Sequence, residues 1–71
     1  MPPSNDYRKE MDIVRLMCPT ATPRAVVKMA RIRASGMYIT EAERIGPRRY
    51  RISGRVSQWQ GGGDFTTTIY I

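Results

Sequence analysis

The chain has no histidine and a single cysteine, Cys18, among its 71 residues. The first absence removes the commonest general base and the commonest metal ligand. The second excludes an intramolecular disulfide, and Cys18 alone cannot build a Cys/His metal cluster. Small secreted domains usually need several disulfides, so a reducing cytoplasm is the expected compartment. The opening Met1-Pro2-Pro3-Ser4-Asn5-Asp6 has no basic-then-apolar signal pattern. No apolar run approaches the length of a membrane span, so no membrane partner is expected.

Acids are scarce as well: Asp6, Glu10, Asp12, Glu41, Glu43 and Asp64 are the whole set. Glu41 and Glu43 are spaced to share one strand face, and with Arg44 adjacent they read as solvated surface rather than a catalytic pair. No activated nucleophile or acid–base set is visible, so neither enzymatic activity nor a cofactor is expected.

Against these absences stands a large excess of positive charge. Twelve Lys and Arg face six Asp and Glu, for a net charge of +6 and a pI near 10.3. Ten of the twelve are arginine, whose planar guanidinium suits bidentate contacts to phosphate and carboxylate. Such a balance favours a phosphate backbone or an acidic protein surface as partner, unless it is only a solubility coat. A chain of this length makes one small domain with a marginal core and no deep cleft. Its apolar content of 41% is nonetheless enough for collapse.

Residues 1–5 read as a short arm and residues 6–71 as the domain. Asn5 suits an N-cap and Asp6 a helix start. Tyr7, Met11, Val14 and Cys18 then follow at steps of four, three and four, which is one helical face. Ile13, Leu16 and Met17 widen it, and Pro19 ends the helix at about Met17. Thr22 caps a second helix with Pro23 at its first position, running to about Ser35 with Gly36 as a left-handed cap. Its apolar side carries Val26, Val27, Met29, Ala30 and Ile32. Arg24, Lys28, Arg31 and Ser35 form a stripe opposite, with Arg33 at its flank.

Beyond Gly36 the period becomes alternating. Met37 to Ala42 reads as a strand, with a short helical turn capped by Thr40 and Glu43 as the rival. Gly46-Pro47 marks a turn. From Arg48 to Ser57 the alternation is strict: Tyr50, Ile52 and Val56 point one way, Arg49, Arg51, Ser53 and Arg55 the other. Gly61-Gly62-Gly63 reads as a flexible loop, and Phe65 to Ile71 as a final strand. The expected fold class is α+β: two N-terminal helices followed by a two- or three-stranded antiparallel β-meander.

Three constellations are candidate sites. Arg24, Lys28 and Arg31 on the second helix have no interleaved acid, and like charges at this spacing cost stability unless a partner uses them. Arg44, Arg48, Arg49, Arg51 and Arg55 surround Tyr50 at a basic hairpin, a form that tracks a phosphate backbone or enters a minor groove. Their alternative role is to guard an edge strand against aggregation. Trp59 either stacks a base or anchors a protein contact, or else folds back over the small core. Cys18 and the methionines read as a pliant core, and Tyr7, Tyr38 and Tyr70 as packing residues with a wet hydroxyl.

The stretch Thr22–Ser53 resembles the second half of a winged helix–turn–helix domain. Thr22-Pro23 opens the helix, Gly36-Met37-Tyr38-Ile39 follows it, and Arg48-Arg49-Tyr50-Arg51-Ile52-Ser53 looks like the returning wing strand. The resemblance implies that Arg24, Lys28 and Arg31 face a major groove, while Arg44, Arg48 and Arg49 contact backbone or minor groove. In size and charge the chain also resembles the very small proteins that phages make to reprogram a host, some of which bind RNA polymerase or CRISPR complexes; its compartment would then be the host cytoplasm. The leading expectation is transcription control by binding duplex DNA. The alternatives are an inhibitor docked on an acidic surface of a host machine, and an RNA-binding accessory domain.

Overall fold

The computed structural model describes residues 4–71, with side chains from residue 8 onward. Its elements are α1 (Ser4–Met17), α2 (Pro23–Ala34), β1 (Met37–Gly46), β2 (Arg49–Val56), a 3-10 turn (Gln58–Gln60) and β3 (Asp64–Tyr70). The strands form one antiparallel sheet in the order β1-β2-β3, so the α+β arrangement of two helices and a three-stranded meander holds.

Helix α1 starts at Ser4, so Asn5 lies inside its first turn instead of capping it. The expected arm therefore loses Ser4 and Asn5 to the helix, and its residues 1–3 lie outside the described residues. Val14 and Cys18 are buried, and Met11 and Met17 pack against the core. Ile13 and Leu16 do not widen this face as expected: Leu16 is 84% exposed. The helix layer contains only two helices, so α1 has a neighbour on one side and covers a narrow stripe. Tyr7, expected in that stripe, has its side chain outside the described set.

Helix α2 begins as its cap chemistry dictates. The Thr22 hydroxyl accepts the Ala25 N–H at 3.3 Å, satisfying one orphan donor of the first turn, and Pro23 costs no hydrogen bond there. The helix closes at Ser35, with Gly36 at φ +106°. Ala25, Val26, Met29 and Ala30 are buried, whereas Val27 and Ile32 are only half-buried.

The rival helical turn at Thr40–Glu43 does not form, and β1 runs through it to Gly46. β1 has ten residues and its partner β2 eight, and the excess is absorbed by bulges at Thr40 and Ile45. Just before the first bulge β1 lies close against β2. A Cβ on Gly54 would lie 1.9 Å from the Tyr38 carbonyl oxygen, so only glycine fits there. The Gly61-Gly62-Gly63 loop is held by its own backbone: all three residues have positive φ, and the Gly62 N–H reaches the Ser57 carbonyl at 3.0 Å.

One sheet face packs on the helices through Ile39, Tyr50, Ile52 and Ile69, which join Val14, Cys18, Val26 and Met29 in a single cluster. The opposite face is open. Its register sets Glu43 beside Arg51 and Tyr38 beside Arg55 on one side, and Tyr70 beside Arg49 and Asp64 beside Arg55 on the other. Tyr38 and Tyr70 are thus not packing residues. They stand 48% and 62% exposed, because strand alternation turns them to the face that no second layer covers.

Candidate nucleic-acid interface

The acids divide the cations into two groups. Glu10 takes Arg33 and Asp12 takes Arg15, while Glu43 lies 3.9 Å from Arg51 and Asp64 lies 3.7 Å from Arg55. Among the described residues, Arg24, Arg31, Arg48 and Arg49 make no side-chain hydrogen bond or ion pair, and the same holds for Arg8 and Lys9 on α1. The charge excess therefore resides on α2, at the β1–β2 turn and on the exposed side of α1.

This division changes the expected arginine face of β2. Arg49, Arg51 and Arg55 do share the open face, but Glu41, Glu43 and Asp64 flank them on β1 and β3. The two exposed cross-strand pairs contribute little to stability. Their effect is on the field: three acids beside three arginines leave that face close to neutral. Arg49 is the exception. Its cross-strand neighbours are Gly46 and Tyr70, neither of them acidic.

Arg44 is not a free contact residue either. Its guanidinium donates to the carbonyls of Thr20 at 3.2 Å, Gly46 at 3.2 Å and Pro47 at 2.9 Å. It also stacks over the Tyr50 ring, 5.9 Å from the centroid. These bonds tie the link between the helices to the β1–β2 turn. Arg33 is likewise structural. It joins Glu10 of α1 to the Ile39 carbonyl of β1, and both charged side chains are mostly covered. The sequence placed Arg33 at the flank of the binding stripe, and nothing in local spacing distinguishes it from Arg31.

The remaining stripe lines a basic groove. Pro23, Arg24, Val27, Lys28, Arg31 and Ile32 line one groove along α2, with an apolar floor and three cations at its rim. Lys28 reaches the Tyr70 carbonyl at 3.0 Å, and Tyr70 lies opposite Arg49. The Ile71 N–H bonds the Arg48 carbonyl at 2.9 Å. The N-terminal half of α2 is thus held beside the β1–β2 turn, and Arg24, Lys28, Arg48 and Arg49 gather at one end of the molecule. The stripe continues from there to Arg31.

Trp59 lies away from this end. Its side chain is 97% exposed, so it does not fold over the core. With Tyr38, Arg55 and Asp64 it lines a separate concavity beside the glycine loop. Tyr70 is a contact candidate that the sequence reading missed. The signal was present, since Tyr70 alternates with Ile69 and Ile71 and falls on the opposite face.

No group of three Cys, Asp or Glu side chains among the described residues is arranged to hold a metal ion, and no helix there is long and apolar enough to cross a membrane. No family model matches the chain, and neither a curated protein nor a solved structure matches it.

Proposed function

We propose that this protein is a small non-enzymatic transcription regulator that binds duplex DNA through α2 and the β1–β2 turn. One observation carries the reading: of the six described cations left unpaired by acids and hydrogen bonds, four (Arg24, Arg31, Arg48 and Arg49) lie on α2 and at that turn, and the other two, Arg8 and Lys9, lie on α1. An acid-free row of arginines on a helix sets phosphate contacts and offers forked donors to base edges. The turn supplies Arg48 and Arg49 from the side, as the winged-helix resemblance of Thr22–Ser53 implies. Cys18, a lone buried thiol, suits the reducing cytoplasm where such a partner is found.

The test is a titration of mixed-sequence duplex at several salt concentrations. The logarithm of affinity should fall linearly with the logarithm of salt, because each neutralised phosphate releases counterions. Replacing Arg24, Lys28 and Arg31 together by alanine should flatten that slope by roughly one unit per lost phosphate contact. Absence of any duplex binding at low salt would sink the reading. A second reading is favoured by the apolar floor of the same groove. Val27 and Ile32 between three cations also suit an acidic, partly apolar segment of a host machine such as RNA polymerase or a CRISPR complex. Pull-down from lysate with and without nuclease separates the two.

A further inference from the structure

The two edges of the sheet are protected very differently. β1 carries two bulges and the charges of Glu41, Glu43 and Arg44, and Arg33 bonds its Ile39 carbonyl. β3 has no bulge, and its one charge, Asp64, stands at its first position. From Phe65 to Ile69 it is an uncharged run of strong β-formers without glycine, proline or a register shift. Isolated edges of this kind template pairing with another strand unless something blunts them.

Hydrogen-bond alternation shows what the β3 edge offers. The Ile71 N–H bonds Arg48 and the Val56 N–H bonds Gly63, so the odd-numbered residues of β3 point their polar groups at β2. The N–H and C=O groups of Asp64, Thr66, Thr68 and Tyr70 therefore point away from the sheet. Among the described residues, only the Tyr70 carbonyl has a partner there, the Lys28 ammonium. The helix layer does not cover this edge: Phe65 is half-buried and Thr67 exposed, although both lie on the helix side.

We infer that β3 pairs antiparallel with β3 of a second copy, giving a two-fold dimer with one continuous six-stranded sheet. The edge is self-complementary in the register centred on Thr67. Thr66 then faces the second copy's Thr68 in a hydrogen-bonded pair, and half-buried Phe65 meets the second copy's Ile69 on the helix side. The charges agree as well. Asp64, at the start of the strand, falls opposite Tyr70 of the other copy, whose carbonyl holds a lysine. A two-fold axis there sets two α2 stripes in one assembly, the arrangement that reads a two-fold symmetric duplex site. The dimer itself does not rest on the DNA reading.

Sedimentation equilibrium of the free protein, without nucleic acid, tests this directly. The wild type should approach twice the 8.1 kDa monomer mass as concentration rises. Thr66→Pro should remain monomeric yet folded by circular dichroism, because the N–H it removes points outward and proline is tolerated at such edge positions. If that variant fails to fold, the pair Thr66→Lys and Thr68→Lys replaces it, since pairing would oppose like charges across the axis. A wild type that stays at monomer mass throughout overturns the inference. So does a dimer that survives these variants and is lost instead on Leu16→Glu, which would place the contact on α1. Duplex binding by a strictly monomeric wild type would leave the proposed function standing while this inference fails.

Discussion

The Tyr50 hydroxyl, on the middle strand, accepts the backbone N–H of Thr22, the cap of α2, at 3.1 Å. The ring beneath it is fully buried, so one side chain both fills the core and fixes where the basic helix begins. Tyr50→Phe should keep the fold and lose about 1–2 kcal/mol, the cost of an unmade bond at a partly covered N–H. Urea unfolding with an unchanged m-value is the check, and a loss near zero would mean that water replaces the hydroxyl.

Gly54 is the position least tolerant of change. A single added methyl would collide with the Tyr38 carbonyl, and that oxygen belongs to backbone that cannot swing away. Gly54→Ala should cost about 3 kcal/mol or more, placing it among the severe strain mutations. Denaturant unfolding measures it. A variant as stable as wild type would show that the bulge at Thr40 can relax.

Arg31 and Arg33 are two residues apart on one helix and should behave oppositely. Arg33→Ala strands the half-buried Glu10 and the Ile39 carbonyl and should lower stability by about 2 kcal/mol. Arg31→Ala should change stability by less than about 0.5 kcal/mol and weaken duplex binding instead. Thermal melts and titrations of both variants decide it, and a reversed pattern would undo the sorting of the cations.

The same sorting divides the arginines of the hairpin. Arg48→Ala with Arg49→Ala should lower the salt slope of duplex binding by about two units. Arg51→Ala with Arg55→Ala should leave the slope nearly unchanged, because Glu43 and Asp64 already compensate those side chains. Equal effects from both pairs would return the open sheet face to the interface.

Much of this architecture was legible in the residues. Thr22-Pro23 and Gly36 bound α2, Gly46-Pro47 marks the turn, and strict alternation fixes the two faces of β2. β1 was not legible beyond Ala42, because bulges at Thr40 and Ile45 break the period of two that identifies a strand. The candidate site was half legible. The α2 stripe follows from spacing alone. The neutral character of the Arg51–Arg55 region does not, since Glu43 and Asp64 reach it only through strand register. Arg44 and Arg33 were indistinguishable from contact arginines for a similar reason. Their partners are main-chain carbonyls at Thr20, Gly46, Pro47 and Ile39, which composition and charge counting do not reveal.

Arg44 has one more consequence. It secures the helix link to the hairpin turn through main-chain carbonyls, and Lys28 is the one outward side chain of the α2 stripe that also helps to place the helix. Positions 24, 31, 48 and 49, whose side chains make no hydrogen bond or ion pair among the described residues, can then be exchanged without redrawing the scaffold. A chain built this way can change its target by substitution at a few surface positions while its folding stays the same, so this domain is a natural starting point for selecting new binding specificities.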